Sequence, residues 1–345
     1  MKDNMKLYVS AIACYGNEFI CFAKNLNVLF SMNRNGVIKN LCFIPEEGRD
    51  RLFDKIVVYK DKVFMIPCMA KKIYIYSMES EKLEFIELNN GQNVRWNFFF
   101  NGVVVDRFLY LIGSCYPALV KIDLDSLSVE EIPVYENKME IQSKLNDCFS
   151  RKSIVEMDKK IYIASALSNE VLVYDTISNS YAWEKIASDT NRYSGIAWDG
   201  KAFWLAPRDN YILVRWEPNI SVDEFDISQW YEDDKFFAGI VCKKDKVYLY
   251  SYQAEKSFVY DYINKCGSKI VTGPECLFEN DRGKDIYQYS DGIVCVGDED
   301  DKEIIDINPN DLYEIISSRE DKWSYYMNEN QTFGLDVFIK ELTKS

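Results

Sequence analysis

Apolar and polar positions repeat along this chain with a period in the mid-forties. Seven times an Asp or Asn in a short polar turn is followed by an apolar run, at Asn17, Asp61, Asp106, Asp158, Asp199, Asp245 and Asp291. The intervals between these turns are 44, 45, 52, 41, 46 and 46 residues. A period of this length accommodates four short strands, so the pattern predicts a repeat of four-stranded units.

A second marker keeps step with the first. Another apolar run ends 13 to 16 residues after each turn, at Phe30-Ser31, Tyr76-Ser77, Ile122-Asp123, Tyr174-Asp175, Arg215-Trp216, Tyr260-Asp261 and Ile305-Asp306. Two markers in one register predict an all-β fold, a β-propeller with seven four-stranded blades. Six blades remain an alternative if the first or last unit is incomplete.

The second unit shows the predicted strands a, b, c and d most clearly. Strand a is Lys55–Tyr59, strand b is Val63–Ile66, strand c is Lys72–Tyr76 and strand d is Leu83–Leu88. Strands a and b are almost continuously apolar, which is typical of strands covered on both faces. Strand d alternates between apolar and polar residues, as expected of an outer strand with one wet face.

These units predict one β-propeller domain over residues 1–316. The seven units extend over 7–44, 52–88, 96–134, 149–186, 193–227, 236–271 and 287–316. Residues 317–345 form a predicted C-terminal tail. Within it, Leu335–Leu342 has apolar positions three and four apart, which indicates a short helix packed on the propeller.

The overall charge limits the possible partners. The formal net charge is −14, from 41 Lys and Arg against 55 Asp and Glu. Sequence-independent binding to nucleic acid or to an anionic membrane is therefore not expected. No apolar run approaches the ~18 residues of a membrane span.

The chain contains no histidine. Catalysis by the most frequent general base, Ser-His and Cys-His nucleophile pairs, and imidazole metal sites are thereby excluded. The acidic run 298–301 is expected to form a hairpin tip rather than a calcium loop, since it has no spaced oxygen ligands or glycine. We expect neither a metal nor a cofactor.

The ten cysteines include no C-x-x-C pair. Several, such as Cys21 and Cys295, lie inside apolar runs, where a thiol acts as a small apolar side chain. The apolar stretch from Leu7 is too short for the core of a signal sequence. We therefore expect a cytoplasmic protein with reduced cysteines.

One segment resembles a known repeat family. Val171–Asp175, with Trp183 eight residues after it, is similar to the third and fourth strands of a kelch repeat, and Phe258–Asp261 is a weaker copy. The chain departs from that family by lacking its Gly pair after strand b. A likeness to bacterial kelch-like propellers implies a binding scaffold, although some bacterial relatives are enzymes that act on sugars.

The loops between blades contain the candidate binding residues. In a propeller, the d–a and b–c loops open on one end of the central channel, which usually holds the ligand. Aromatic residues lie at or beside the start of strand a in six units, and seven of the eleven arginines lie in or beside these loops. The candidate ligand-binding residues are Phe53, Arg95, Trp96, Phe98, Phe149, Arg151, Arg192, Tyr193, Arg208, Phe237 and Tyr287.

Two functions from different classes remain open. The first is a non-catalytic scaffold whose arginines and aromatic rings capture an anionic ligand or a partner protein, through a glycan or an acidic peptide segment. The second is a carbohydrate-active enzyme that uses two channel carboxylates as acid and base, which requires no histidine. The inner strands are apolar and their acids lie at turns, which favours the first function. For the aromatic residues, blade-to-blade core packing is the competing and favoured explanation.

Overall fold

The structure is a computed structural model, and it describes residues 9–16, 18–23, 27–33, 38–45, 52–88, 98–113, 115–135, 149, 153–231, 237, 239–243, 245–250, 257–270, 275–278, 285–288, 294–297 and 303–305. The described residues form seven four-stranded sheets, each with its strands in chain order. We call these sheets blades 1 to 7. Helix Leu335–Leu342, predicted above, lies outside the described residues.

Two compact units can be distinguished, and the first consists of Met1–Ile86 together with Cys276–Ser345. Blade 1 contains β1 (Val9–Tyr15), β2 (Glu18–Ala23), β3 (Val28–Asn33) and β4 (Ile38–Phe43). Blade 2 contains β5 (Phe53–Tyr59), β6 (Lys62–Pro67), β7 (Lys72–Ser77) and β8 (Leu83–Glu87). Blade 7 contains β25 (Glu275–Phe278), β26 (Asp285–Gln288), β27 (Val294–Gly297) and β28 (Glu303–Ile305).

The second unit is Glu87–Glu275. Blade 3 contains β9 (Phe99–Val105), β10 (Phe108–Gly113), β11 (Leu119–Asp123) and β12 (Val129–Ile132). Blade 4 contains β13 (Ile154–Met157), β14 (Lys160–Ala164), β15 (Glu170–Asp175) and β16 (Ser180–Lys185). Blade 5 contains β17 (Tyr193–Trp198), β18 (Phe203–Pro207), β19 (Ile212–Glu217) and β20 (Ser221–Asp226). Blade 6 contains β21 (Gly239–Lys243), β22 (Lys246–Tyr250), β23 (Ser257–Asp261) and β24 (Cys266–Ile270).

The sequence register is confirmed in blades 2 to 6 and is wrong by one strand in blade 7. Asp61, Asp106, Asp158, Asp199 and Asp245 all lie between the first two strands of their sheets. Blade 7 instead begins at β25, so Tyr287 lies on the second strand rather than the first. The prediction failed there because Asp291-Gly292 suits any tight turn, and it follows the second strand of that blade.

The turns between strands a and b use the backbone conformation that Asp and Asn tolerate. Asp106 has a φ of 56° and Asp158 a φ of 52°, both in the left-handed region. In blade 2 it is Lys60, with a φ of 55°, that adopts this conformation. Asp61 there accepts a hydrogen bond from the Ser77 hydroxyl at 3.0 Å, and this bond ties the a–b turn to the c–d turn.

The c–d turns share a feature that the sequence pattern did not predict. In five blades a residue with positive φ lies at the end of this turn, and three of these five residues are neither glycine nor asparagine, the types that adopt this conformation most readily. The five are Glu81 (55°), Leu127 (61°), Asn179 (51°), Asn219 (61°) and Lys265 (49°). In blades 3, 4 and 6 an aspartate opens the turn and accepts backbone N–H groups two or three residues later. Local hydrogen bonds therefore hold these turns.

These hydrogen bonds lower the pKa values of Asp123, Asp175 and Asp261, chiefly through the backbone N–H groups of Ser126, Ser178 and Asn264 respectively. A carboxyl group with a lowered pKa in the folded state stabilises the fold above its unfolded pKa of about 4. That contribution is lost as the pH falls through the folded pKa.

Replacing all three aspartates by asparagine is therefore expected to flatten the acid limb of the stability profile. Asparagine retains an acceptor oxygen but does not titrate at acidic pH. The midpoint of thermal unfolding should fall less steeply below about pH 4 in the variant than in the wild type. Equal slopes in the two proteins would show that these turns do not contribute to the acid sensitivity.

Aromatic side chains connect neighbouring blades of the second unit. Between blades 3 and 4, the rings of Tyr110 and Tyr174 are 5.7 Å apart, and burial raises the pKa of Tyr174 to about 12. Between blades 4 and 5, Tyr162 lies 5.9 Å from Trp216. Trp204 of blade 5 lies 5.2 Å from Tyr262, which begins the c–d turn of blade 6. Ring-to-ring packing thus fills the gaps between these blades.

The fourth strand lies at one end of the strand order in every sheet. In β8, β12 and β20 this strand is acidic, with exposed or half-buried carboxylates at Glu84, Glu87, Glu130, Glu131, Asp223, Glu224 and Asp226. Part of the net negative charge therefore lies along the outer strands.

Candidate functional site

Two of the predicted arginines lie side by side in blade 5. Arg192 immediately precedes β17 and Arg208 immediately follows β18. Because these strands pair antiparallel, the two residues meet at one end of the blade. The backbone N–H of Arg208 donates to the carbonyl oxygen of Arg192 at 3.0 Å. We call Arg192 and Arg208, with Asn191 and Asn210 beside them, the blade-5 arginine site.

Asparagine side chains anchor the loops of this site. Asn191 is buried, and its Nδ2 donates to Glu224 Oε1 at 2.8 Å. The Oδ1 atom of Asn191 accepts from Asn210 Nδ2, also at 2.8 Å. Asn210 in turn accepts the N–H of Ile212 at 2.9 Å. This chain of hydrogen bonds runs from outer strand β20 to both arginine loops, so the arginine backbones are held in place before any ligand arrives.

The two guanidinium groups differ in their surroundings. Arg192 Nη1 donates to the carbonyl oxygens of Asp189 at 2.8 Å and Asn191 at 2.6 Å, so one of its nitrogens stabilises its own loop. Arg208 Nε lies 3.9 Å from Asp209 Oδ1, and the Asp209 side chain is 65% exposed. The Arg208 side chain is 20% exposed, and at 3.9 Å its ion pair with Asp209 is long, so a ligand carboxylate can compete for the guanidinium.

Charges at this end of blade 5 are balanced, in contrast to the whole chain. Three cations, Arg192, Arg208 and Lys185, lie near the three acids Asp189, Asp209 and Glu224. The whole chain has a formal net charge of −14. An incoming carboxylate therefore meets less repulsion here than along an acidic outer strand such as β20.

The predicted aromatic residues lie in the cores of their blades. The side chains of Phe53, Phe98, Phe149, Tyr193 and Phe237 are all at most 3% exposed. Tyr193, which follows Arg192, points inward and donates its hydroxyl to the carbonyl oxygen of Ile186 at 2.5 Å. Burial, with Glu224 nearby, raises the pKa of Tyr193. In this structure these rings contact protein side chains, which is the competing explanation given above.

The side chains of the four remaining candidates are not described. Arg95, Trp96 and Arg151 lie outside the described residues, and Tyr287 lies on β26, where the backbone alone is described. Asn191 and Asn210 were not among the residues predicted from the sequence. Their closeness in sequence to the predicted arginines could have pointed to them, since each lies within two residues of a loop arginine.

A second polar cluster lies at the opposite end of blade 5. Asp199, whose side chain is 3% exposed, accepts the indole N–H of Trp204 at 2.7 Å and the backbone N–H groups of Lys201 and Ala202 at 2.8 and 2.7 Å. Arg215 lies 4.0 Å from Asp199. It lies 3.7 Å from each of Glu217 and Asp223.

This cluster is an ion network centred on Arg215. The guanidinium occupies the space between the carboxylates, whereas a glycosidase needs a sugar ring between its two acids.

Among the described residues, no group of three or more Cys, Asp or Glu side chains is arranged to hold a metal ion. No helix in the described part of the chain is long and apolar enough to span a membrane.

Comparison with known proteins identifies the fold. No family model matches the chain, and no curated protein matches it. Streptogramin B lyase is 12% identical, with a TM-score of 0.58 over 86% of this chain and 91% of that protein. A catalytically inactive histidine-to-alanine variant of virginiamycin B lyase from Staphylococcus aureus, solved with quinupristin, is 14% identical, with a TM-score of 0.60 over 87% of this chain and 94% of that protein. The fold is a β-propeller.

One further solved structure, from a protein of a different kind, is also similar. The extracellular domain of a proposed one-component system from B. thetaiotaomicron is 10% identical, with a TM-score of 0.51 over 86% of this chain and 46% of that protein. At such identities the likeness concerns the fold alone. The blade-5 arginine site therefore has to be interpreted from its own chemistry.

Proposed function

We propose that this propeller is a non-catalytic binding module that captures a carboxylate group of a partner at the blade-5 arginine site. The observation that carries the proposal is the direct backbone hydrogen bond between Arg208 and Arg192, which sets the two arginine residues beside each other at one end of the blade. Guanidinium groups bind carboxylates by paired, charge-assisted hydrogen bonds. An acidic peptide segment and an acidic glycan offer the same group.

Two observations support binding rather than catalysis. The similar virginiamycin B lyase is inactive when one histidine is replaced by alanine, and this chain contains no histidine. Chemistry that depends on that residue is not available here. The carboxylates described around Arg215 are engaged with the guanidinium, which does not favour the carbohydrate-active enzyme.

The kelch-like relationship is part of the proposal and rests on β15 and Trp183. Trp183 reaches back from outer strand β16 and donates its indole N–H to the carbonyl oxygen of Val134 in blade 3 at 3.2 Å. A tryptophan on the fourth strand that bonds to the preceding blade fits a kelch-like repeat, in which neighbouring blades are joined by such contacts. The net charge supports a protein or glycan partner rather than nucleic acid or a membrane.

Replacing Arg208 by alanine is expected to weaken binding of a carboxylate ligand by about 1.5–3 kcal/mol, the contribution of a hydrogen bond to a charged group. Arg208→Lys should recover only part of this, since lysine retains the charge but loses the paired geometry. Arg192→Ala should weaken binding similarly and also loosen the loop at Asp189. Because the Arg208 side chain is only 20% exposed, circular dichroism of each variant checks that the fold is retained before binding is compared.

The measurement is a binding screen of wild type and variants against an acidic peptide library and a glycan array containing acidic sugars. Each hit is then titrated at low and high salt, and binding should weaken as salt rises. Lys160→Ala, at the a–b turn of blade 4, serves as the matched loss of an exposed cation away from the site. Ligands that bind Arg208→Ala as tightly as the wild type would place the binding surface elsewhere.

A further inference from the structure

The c–d hairpin tips of three consecutive blades display exposed isoleucines. Ile177 in blade 4, Ile220 in blade 5 and Ile263 in blade 6 are 78%, 74% and 64% exposed. They are the most exposed large apolar side chains in the described part of the chain. Single exposed apolar residues are normal on protein surfaces, but recurrence at one place in three adjacent repeats is a pattern.

The turns themselves do not require isoleucine. In blade 4, the Ile177 N–H donates to Asp175 Oδ1 at 2.9 Å. The same bond is made in blade 3 by the N–H of Asp125 to Asp123 Oδ1, also at 2.9 Å. One turn geometry therefore accommodates a charged residue in blade 3 and an isoleucine in blade 4. Hairpin tips normally favour polar residues. An isoleucine at such a tip goes against this preference, and burial in the fold does not explain its presence.

Packing between the blades fixes the hairpins relative to one another. Trp216, at the end of the hairpin strand of blade 5, packs on Tyr162 of blade 4 at 5.9 Å. Tyr262, the neighbour of Ile263, packs on Trp204 of blade 5 at 5.2 Å. The three tips are therefore parts of one pre-formed surface, which we call the isoleucine face.

Charges of both signs alternate around the isoleucine face. In each blade at least one lysine and one acid lie in the a–b or c–d turn. The cations in or at the ends of these turns are Lys159, Lys160, Lys201, Lys246 and Lys265, and the acids are Asp158, Asp175, Asp199, Glu217, Asp245 and Asp261. These groups sum to −1, from five cations and six acids, although the whole chain has a net charge of −14.

We propose that the isoleucine face is the contact surface between two copies of this chain. Two-fold pairing sets the same patch against itself, and mixed signs around an apolar centre allow such a patch to complement itself. Two copies with a net charge of −14 repel each other least where the local charge is balanced. This surface lies at the opposite end of blade 5 from the blade-5 arginine site and does not depend on it.

The test compares the wild type with Ile177→Ser/Ile220→Ser/Ile263→Ser by sedimentation equilibrium over a dilution series. The wild type should form dimers, and the triple variant should raise the dissociation constant by roughly a hundredfold or more, since three apolar side chains lose their burial. The variant should keep its circular dichroism spectrum and thermal midpoint, because exposed side chains contribute little to folding. Ile263→Ser alone gives a milder variant should the triple variant misfold.

Salt and a control variant separate this proposal from the binding of a ligand. Raising the salt concentration should strengthen dimerisation, since it screens the repulsion between two acidic copies, whereas it weakens the binding of a carboxylate to arginine. Phe85→Ser removes a 51% exposed apolar side chain from outer strand β8 of blade 2, which is not part of the isoleucine face, and should leave dimerisation unchanged. A wild type that stays monomeric over the whole series, a triple variant that dimerises normally, or dimerisation that weakens with salt would overturn the proposal.

Discussion

Replacing Trp204 by alanine is expected to lower the free energy of unfolding by about 3–5 kcal/mol, the range for a large aromatic side chain removed from a core. Trp204 is fully buried in β18. It stacks on Phe225 of its own blade at 5.6 Å and contacts Tyr262 of blade 6 at 5.2 Å. The substitution therefore leaves a cavity within blade 5 and removes a contact between two blades.

Urea unfolding followed by circular dichroism measures this loss. Trp204→Phe should cost less, about 1–3 kcal/mol, because it retains a ring but leaves Asp199 without the indole donor. Tyr181→Ala, which removes a 38% exposed ring from outer strand β16, is the control and should cost much less. An effect of Trp204→Ala no larger than that of the control would show that the ring packing described here is not stabilising.

Replacing Asp199 by alanine is expected to destabilise the fold by about 2–4 kcal/mol. The indole N–H of Trp204 would then be buried without its acceptor, and the N–H groups of Lys201 and Ala202 would lose theirs. Arg215 would keep its ion pairs with Glu217 and Asp223, each at 3.7 Å, so the guanidinium itself would not be left without a carboxylate.

The contribution of the indole bond can be isolated with a double-mutant cycle between Asp199→Ala and Trp204→Phe. Because both substitutions remove the same hydrogen bond, their effects on the free energy of unfolding should add to more than the effect of the double variant. Asp245→Ala, in the equivalent turn of blade 6, is exposed and should change stability by about 0.5 kcal/mol or less. Strict additivity would mean that the bond to the indole contributes nothing.

Turn spacing was sufficient to predict most of the fold. The regular spacing of the turn aspartates from Asp61 to Asp245 located the first two strands of five blades, and at Asp106 and Asp158 the aspartate itself adopts the left-handed backbone of a tight turn. It was insufficient in blade 7, where Asp291-Gly292 could belong to either of two turns. The positive φ of Leu127 was not predictable, because nothing in the leucine side chain favours that conformation.

The candidate site was predictable only where backbone pairing determines it. Antiparallel pairing of β17 with β18 brings Arg192 beside Arg208, so their proximity follows from the strand assignment. Whether Tyr193 or Phe237 faces a ligand or a core does not follow from it, since large rings suit both places. The bond from Asn191 to Glu224 joins residues 33 positions apart and depends on how a loop folds against the outer strand.

The acidic outer strands described above have a consequence for behaviour at high concentration. A strand with one unpaired side is a template for edge-to-edge growth with another molecule, and every blade ends in such a strand. Carboxylates at Glu84 and Glu87 in β8, and at Asp223, Glu224 and Asp226 in β20, would face their own counterparts in any such pairing. Their mutual repulsion opposes strand-to-strand polymerisation, so these charges help to keep the folded protein soluble and free of fibrous aggregates.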